Sequence, residues 1–334
     1  MFRTLTTLLL ACATLYVQPF AQAESTPAQK AVLVTGASSG LGRVMAETLA
    51  AKGYFVYAGA RKDADLAELG AIKNIQAVKL DVTQQDQIDA AVKTIGEAGR
   101  GLYGLVNNAG VLVTSPLIEI SEADFHLQMN ANIYGVYRVT KAFAPLIIKS
   151  KGRISVIGSI SGTLSDATWG PYSMTKFAME AFADALADEM KQFDVRVSLI
   201  EPGAYRSSIG KSALDRIAKQ DQSAANTQFK KQMNESISWL SHFEKDAGDP
   251  TEVAEGVVKS LFDDRPKPRY LIVPNQEEAY LTINRAIERM VEQNHDQKFS
   301  YKRAELIAML DVVLAKQAGK NPPRPAGQKT PVQQ

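Results

Sequence analysis

Apolar runs that alternate with helical patterns constrain the fold of this chain more than any other feature. The candidate strands are rich in Val and Ile and nearly continuous in apolar character, which is typical of strands buried on both faces. These strands are residues 31–35, 54–59, 75–80, 102–107, 153–158, 195–200 and 269–273. Helical patterns lie between them, at residues 41–52, 84–96, 121–129, 132–149, 172–191 and 251–262. The alternation predicts an α/β fold with a doubly wound, parallel sheet of about seven strands.

The pattern changes after the sixth candidate strand. Residues 204–248 are polar and helix-prone, with no convincing strand. Ligands of doubly wound sheets bind beyond the carboxyl ends of the strands, so this helical insert is well placed to act as a substrate lid. A mobile surface segment with no role in substrate binding is the alternative, since it would have the same composition. Residues 275–317 are predicted to form a C-terminal helical extension, and the Pro-rich residues 318–334 a disordered tail.

The N-terminus has the order of a secretory signal peptide. Arg3 precedes an apolar run at 5–17, and Ala-Gln-Ala at 21–23 is a typical cleavage site. We therefore expect residues 1–23 to be removed and the mature protein to be periplasmic or secreted. An uncleaved leader would instead leave the protein cytoplasmic or membrane-associated. The apolar run is shorter than the ~20 residues that cross a bilayer, so no stable membrane span is expected.

Composition argues against several kinds of function. The formal net charge of +2 over 334 residues is too small to indicate nucleic-acid binding. Cys12 is the only cysteine, which excludes an intramolecular disulfide and a cysteine-built metal site. The three histidines, His126, His242 and His295, have no paired spacing, so no metal cofactor is expected.

The stretch TGASSGLG at 35–42 joins the first candidate strand to the first helix. Gly36 permits a tight turn, Gly40 lets the backbone approach a pyrophosphate, and Gly42 allows the helix to pack closely on the strand. The N-terminus of the helix adds unpaired N–H groups and a positive dipole end. The turn therefore predicts a dinucleotide site in a Rossmann-like fold.

The end of the second strand indicates which dinucleotide is bound. Residues 58–60 carry no carboxylate, which would have paired with the ribose hydroxyl of NAD. Arg61 and Lys62 instead offer donors to the 2′-phosphate of NADP. Asp63 and Asp65 follow closely and weaken this reading. We predict that NADP(H) is preferred, with NAD(H) as the alternative.

Tyr172 and Lys176 lie four residues apart near the start of a predicted helix and therefore share one face. A phenol with a pKa near ~10 is a poor acid–base group at neutral pH, but a neighbouring ammonium lowers that pKa. Ser159 follows the fifth candidate strand, at the same sheet edge as the glycine turn. Asn-Asn-Ala-Gly at 107–110 and Glu-Pro-Gly at 201–203 end two further strands there. A cofactor and substrate site is predicted at this edge.

Together these motifs resemble the short-chain dehydrogenase/reductase family. The likeness rests on TGASSGLG, NNAG, NANIYG, SISG, YSMTK and EPGAYRS and covers roughly residues 30 to 274. It implies a dehydrogenase domain at 24–274 that transfers hydride between a nicotinamide cofactor and a secondary alcohol, ketone or aldehyde. A 3-oxoacyl-thioester reductase is the alternative within enzymes. A protein that senses NADPH or acts as a scaffold is the alternative outside them.

The resemblance implies a catalytic tetrad of Asn132, Ser159, Tyr172 and Lys176. Tyr172 would exchange a proton with the substrate oxygen, which Ser159 would hold. Lys176 would bind the nicotinamide ribose, lower the pKa of Tyr172 and join a water relay near Asn132. Trp169 is a further candidate substrate contact. A sensor or scaffold would need neither Tyr172 nor Lys176.

The resemblance also implies which residues hold the cofactor. Asp81 would lie near the adenine and Asn108 near a ribose, while Ser207 would contact the carboxamide in place of the family's usual threonine. The candidate cofactor residues are Gly36, Ser38, Ser39, Gly40, Leu41, Gly42, Arg61, Asp81, Val82, Asn108, Ala109, Gly110, Tyr172, Lys176, Pro202, Gly203 and Ser207.

Aromatic residues and family likeness together suggest the substrate and the assembly. Trp169 and three aromatics of the insert, Phe229, Trp239 and Phe243, would suit an apolar pocket for a retinol- or steroid-like substrate, although ordinary packing would explain them equally. The resemblance further implies that helices 132–149 and 172–191 pair across a two-fold axis, giving a homodimer or homotetramer.

Overall fold

The computed structural model describes residues 29–219 and 227–320. The predicted signal peptide, residues 1–23, lies outside these ranges, as do residues 321–334 of the predicted tail. Within the described residues, no helix is both long enough and apolar enough to cross a membrane.

Seven parallel strands form one sheet in the order β3-β2-β1-β4-β5-β6-β7. The strands are β1 Ala31–Val34, β2 Phe55–Ala60, β3 Ile75–Lys79, β4 Gly104–Asn107, β5 Arg153–Ile157, β6 Arg196–Pro202 and β7 Arg269–Ile272. The predicted doubly wound α/β fold is confirmed. Each predicted strand is present, because continuous burial on both faces selects the Val- and Ile-rich runs that the sequence displays.

Helices cover both faces of the sheet. In the described residues they are α1 Gly40–Ala51, α2 Asp63–Gly70, α3 Gln85–Glu97, α4 Glu122–Met129, α5 Gly135–Lys149, α6 Gly170–Met190, α7 Ile209–Lys219, α8 Lys230–Asp246, α9 Thr251–Phe262, α10 Gln276–Asn294 and α11 Arg303–Gln317. The sequence did not reveal α2, whose eight residues bury only Leu69 fully. The insert after β6 forms α7 and α8, and the C-terminal extension forms α10 and α11.

Two hydrophobic cores lie on opposite faces of the sheet. Leu33 of β1 joins the core that also contains Phe143 of α5 and Met179 of α6. Its neighbours Val32 and Val34 join the other core, under α1 and α9. Burying one such aliphatic side chain contributes ~1.5–3 kcal/mol, so alternate residues of a single strand stabilise both helical layers.

The sheet order reverses beside β1, which pairs with β2 on one side and β4 on the other. A crevice opens at this point beyond the carboxyl ends of the strands, where ligands of doubly wound folds bind. The glycine turn follows β1, Asn108 follows β4 and Ser159 follows β5. The topology thus brings three separate motifs to one edge.

Candidate active site

A cleft of about 1100 Å³ lies along this edge of the sheet. The predicted tetrad, Trp169 and all the candidate cofactor residues given above line it, whereas Lys62 does not. Trp239 and Phe243 of the insert line it as well, but Phe229 does not: it sits at the N-terminus of α8, half-buried outside the cleft. Of the two interpretations of Phe229, ordinary packing is therefore the one that the structure supports.

The glycine turn leaves no room for side chains. Gly36 and Gly40 have φ angles of +65° and +55°, in the left-handed region that favours glycine. A Cβ on Gly36 would lie 2.9 Å from the Cα of Ala109, and one on Gly40 would lie 3.1 Å from the Cβ of Ser207. A Cβ on Gly42 would collide with the carbonyl oxygen of Gly36. Backbone from three segments therefore meets here without intervening side chains.

The N-terminus of α1 faces the cleft beside this turn. Ser39 occupies the N-cap position, yet its side chain makes no capping hydrogen bond. Its hydroxyl lies 2.8 Å from the hydroxyl of Ser208, which follows β6. The first N–H groups of α1 and the positive end of its dipole thus remain available to an anion.

Thr35 ties the glycine turn to the segment after β4. Its hydroxyl accepts hydrogen bonds from the N–H groups of Asn108, at 2.9 Å, and Ala109, at 3.0 Å, and donates to the carbonyl of Val106. The Asn108 amide donates back to the carbonyl of Thr35 at 2.9 Å. The side chain of Asn108 therefore holds the two loops together, while its position lines the cleft.

Asn132 lies in a π-helical turn, Asn130–Tyr134, that joins α4 to α5. Its side-chain oxygen accepts from the N–H of Val111 at 2.8 Å, and its amide donates to the carbonyl of Val111 and the hydroxyl of Thr175. The side chain is 3% exposed and fully hydrogen-bonded. It therefore positions the cleft wall and α6, and π turns of this kind often mark functional sites.

Ser159 directly follows β5 and faces Tyr172. Its hydroxyl accepts a hydrogen bond from the N–H of Ser161 at 3.0 Å and makes a hydrogen bond to the Tyr172 phenol that favours the ionised form. A substrate oxygen seated in this part of the cleft would meet both hydroxyl groups.

Lys176 lies one turn after Tyr172 on α6, and its ammonium is buried. The Nζ atom donates to the carbonyl of Ile157 at 2.9 Å and lies 5.4 Å from the centre of the Tyr172 ring. Burial lowers the pKa of Lys176 to about 8.

The pKa of Tyr172 differs in direction from the sequence-based expectation. Burial raises it to about 12, and the hydrogen bond to Ser159 opposes this only in part. The Lys176 ammonium donates to the carbonyl of Ile157, and desolvation is the largest influence on the pKa of Tyr172.

Comparison with known proteins shows the family of this chain. Residues 30–218 match the family model described as short chain dehydrogenase. The chain belongs to the short-chain dehydrogenase family. A crystal structure of a short-chain dehydrogenase from Streptomyces avermitilis has the same fold, with a TM-score of 0.67 at 24% identity over 88% of this chain and 98% of that one.

Two curated relatives resemble this short-chain dehydrogenase in part. The mitochondrial D-beta-hydroxybutyrate dehydrogenase of Rattus norvegicus is 35% identical over 198 residues, which are 56% of this chain and 58% of the relative. Retinol dehydrogenase 16 of Homo sapiens is 36% identical over 185 residues, 54% of this chain and 58% of the relative. The matches thus span little more than half the length of either relative.

At one end of the cleft of this short-chain dehydrogenase, Arg61 is largely exposed. Its guanidinium lies 3.8 Å from a carboxylate oxygen of Asp81. Asp63 pairs with Lys79 at 2.5 Å, so its charge is compensated. Lys62 precedes α2 and does not line the cleft. Of the two predicted cations, only Arg61 faces the cleft.

At the other end, aromatic side chains from the insert meet α6. The rings of Trp169 and Trp239 pack edge to face with centroids 5.0 Å apart, and Phe243 lies 4.8 Å from Trp239. Trp169 is also 6.2 Å from Tyr172. An apolar wall therefore adjoins the candidate proton donor.

Sequence reasoning missed Glu278 and Leu281 of α10, which also line the cleft. The Glu278 carboxylate accepts a hydrogen bond from the N–H of Ala204 at 2.9 Å, and a Cβ on Gly203 would collide with it. Asn275 at the N-cap accepts from the N–H of Glu278. The spacing N-x-x-E at 275–278 indicates a helix start, but nothing in the sequence shows that the carboxylate reaches the segment after β6.

A buried carboxylate lies beneath the cleft floor. Glu201 of β6 is 7% exposed, and burial, together with the nearby Glu180, raises its pKa to about 7. Arg269 of β7 is bound to Glu180 at 3.0 Å and to Asp184 at 2.8 Å, which leaves its charge shared among three carboxylates. Glu201 immediately precedes Pro202 and Gly203, which line the cleft.

Proposed function

We propose that this protein is an oxidoreductase that transfers hydride between a nicotinamide dinucleotide and a secondary alcohol, ketone or aldehyde. The observation that carries the proposal is the meeting of Ser159, Tyr172 and Lys176 in the cleft that also contains the glycine turn. The turn follows β1, whereas Ser159 follows β5 and Tyr172 and Lys176 lie on α6, so the fold brings distant segments together. A protein that only sensed the dinucleotide would not require the tyrosine and lysine.

The residues of the cleft fit a dinucleotide. Positive φ at Gly36 and Gly40, where side chains would collide, lets backbone approach a pyrophosphate. The open N-terminus of α1 suits its charge. Arg61 would hold a 2′-phosphate and Ser207 a carboxamide. When bound, the dinucleotide supplies the group that donates or accepts hydride.

The protein's own groups would manage the proton. Because the pKa of Tyr172 is raised to about 12, its phenol holds a proton at neutral pH and can donate it to a carbonyl oxygen. Ser159 would hold that oxygen through its hydroxyl. Lys176 is charged below its pKa of about 8 and would stabilise the phenolate once the proton has left. The reverse sequence would serve alcohol oxidation.

Replacement of Tyr172 by Phe tests the mechanism. The variant keeps the ring packing but removes the proton donor, so kcat should fall by ~100- to 10,000-fold. Dinucleotide binding, followed by fluorescence of NADPH, should change little. Tyr301→Phe, a change at an exposed tyrosine that does not line the cleft, is the matched control. Undiminished turnover by Tyr172→Phe would exclude this mechanism.

We propose that NADP(H) is preferred over NAD(H). Support comes from Arg61, which faces the cleft, and from the absence of a carboxylate at residues 58–60. Arg61→Ala should weaken NADPH binding by ~10-fold or more and leave NADH binding within a factor of ~2, since a charged hydrogen bond is lost only to the phosphate. Lys62→Ala is the control, since Lys62 does not line the cleft. Tighter binding of NADH than NADPH by the wild type would overturn this preference.

We propose a hydrophobic substrate. The apolar wall of Trp169, Trp239 and Phe243 supports it, as does the likeness to a protein named retinol dehydrogenase. Activity measured over a series of secondary alcohols of increasing chain length should rise with apolar surface. Trp239→Ala should flatten that rise, because the side chain contributes buried area rather than chemistry. A preference for short polar alcohols would contradict the proposal.

We further propose that the protein forms a homodimer or homotetramer through α5 and α6. Tyr134, Tyr137 and Met174 of these segments are 52%, 48% and 46% exposed, which supports a covered surface. Light scattering after gel filtration should give a mass of two or four chains, and Tyr137→Glu should give one. A wild-type monomer at all concentrations would exclude this assembly.

A further inference from the structure

Arg216 is an arginine of the cleft wall for which the described residues provide no ion pair. It lies on α7 and is partly buried, and its side chain lines the cleft. Its Nε atom is fully buried and has no hydrogen-bond partner among the described residues. None of the ion pairs in residues 29–219 and 227–320 involves it. By contrast, Arg206 at the base of the same insert pairs with Asp249 at 3.3 Å.

An unpaired guanidinium in such a position is unfavourable for the protein alone. Removing a polar N–H from water without a hydrogen bond costs ~1–3 kcal/mol, and a charged group costs more. Four acidic residues line the same cleft, and among the described residues none of them pairs with Arg216: Asp81, Asp166, Glu235 and Glu278. Glu235 lies instead 3.9 Å from Lys231 on its own helix. The cation therefore remains available to an anion that enters the cleft.

The surroundings of Arg216 are apolar. Its neighbours on α7, Ala213 and Ile217, are buried in a cluster with Leu112 and Leu240. Trp169 and Tyr172 pack against that cluster. The same part of the cleft thus contains the candidate proton donor, apolar side chains and the Arg216 cation. A ligand that matched this part of the cleft would be apolar along its length and anionic at one end.

We propose that Arg216 binds the anionic group, carboxylate or phosphate, of an amphipathic substrate whose apolar part lies against Trp169 and Trp239. The planar fork of an arginine presents paired N–H donors that match either group. This assignment rests on the proposed oxidoreductase function and names its substrate class: hydroxy or oxo compounds with an apolar chain and a terminal anion. In this arrangement the guanidinium sets the orientation of the substrate, and Tyr172 exchanges a proton with its hydroxyl or carbonyl oxygen.

The two tryptophans of the chain, Trp169 and Trp239, both line the cleft, so intrinsic fluorescence reports ligand binding directly. The probes are decanoate, decyl phosphate and 1-decanol, which share an apolar chain and differ in the head group. The variants are Arg216→Met, which keeps an apolar stem without charge, and Arg216→Lys. Lys211→Met, a change at an exposed residue of the same helix, is the control.

We expect an anionic probe to bind the wild type ~10-fold or more tighter than 1-decanol, as charged hydrogen bonds of ~1.5–3 kcal/mol predict. Arg216→Met should abolish that difference and leave 1-decanol binding within ~2-fold, while Arg216→Lys should restore part of it. The stronger of the two anionic probes shows whether the site prefers a carboxylate or a phosphate. Equal binding of all three probes, or decanoate and decyl phosphate binding unchanged in Arg216→Met, would overturn the proposal.

The experiment separates this proposal from the proposed function. Binding of the probes requires no turnover, so a loss of anion binding in Arg216→Met supports the site even where Tyr172→Phe leaves activity unchanged. Conversely, if the wild type oxidises 2-undecanol and 11-hydroxydodecanoate with equal kcat/KM and Arg216→Met alters neither, the oxidoreductase stands and the anion site falls. Urea unfolding of each variant establishes that it is folded.

Discussion

The carboxylate of Glu278 accepts a hydrogen bond from the backbone N–H of Ala204 at 2.9 Å, joining α10 to the segment that follows β6. The two residues lie 74 positions apart, and Glu278 lies beyond the residues that match the family model. The C-terminal extension therefore completes a wall of the cleft that the core of the family fold begins.

Loss of this contact should loosen the wall. We expect Glu278→Ala to weaken NADPH binding by ~5- to 10-fold, because the segment carrying Gly203 and Ser207 loses a charge-assisted hydrogen bond. Fluorescence titration measures the effect, and the exposed neighbour Glu277→Ala is the control. Identical NADPH affinities for the two variants would show that the contact does not support the dinucleotide site.

Crowding at the glycine turn can be separated from backbone strain. Gly40→Ala and Gly99→Ala both place alanine at positive φ, +55° and +70°, and each should cost ~1 kcal/mol of unfolding free energy. Only at Gly40 does the new Cβ meet a neighbour, Ser207, whereas Gly99 is open. We therefore expect similar losses of stability in urea, with dinucleotide binding weakened ~10-fold or more only by Gly40→Ala. Equal binding by both variants would mean that the turn does not contact the ligand.

Lys176 should make stability rise with alkaline pH. Its pKa is lowered from 10.5 to about 8 in the folded protein, so between these values the unfolded chain binds a proton that the folded chain does not. From pH 7 to pH 10 the wild type should gain ~2 kcal/mol of unfolding free energy relative to Lys176→Met, which has no titrating group. Lys149→Met, at an exposed site on α5, should show no such difference. Parallel pH profiles of the wild type and Lys176→Met would refute the lowered pKa.

Ionisation of Glu201 should make the free energy of unfolding fall as the pH rises from acidic to neutral values. Burial and Glu180 raise its pKa from 4.5 to about 7, so the folded protein retains a proton that the unfolded chain has lost in this window. As pH rises from 4.5 to 8, the wild type should lose ~1–2 kcal/mol relative to Glu201→Gln, whose amide mimics the protonated acid. Thermal or urea unfolding at both pH values measures this, with the exposed Glu97→Gln as control. A difference that grew as the pH was lowered would contradict the assignment.

The sequence predicted the parts of the site that depend on local order. The seven strands follow from runs that are apolar on both faces, and the edge on which Gly36, Asn108 and Ser159 meet follows from their being the carboxyl ends of parallel strands. Tyr172 and Lys176 share a face because they are four residues apart on a helix. The resemblance to the family added the expected roles of the residues in these motifs.

Tertiary structure decided the properties that depend on distant neighbours. The pKa of Tyr172 is raised rather than lowered because burial outweighs the hydrogen bond to Ser159. The groups that bury the phenol, and the carbonyl of Ile157 that holds Lys176, come from other elements. Glu278 reaches the N–H of Ala204, and the Nε of Arg216 has no hydrogen-bond partner among the described residues, because contacts between distant segments form only in the folded chain. Periodicity and spacing describe contacts within an element. Desolvation and pairing between elements are set by packing, which no local pattern records.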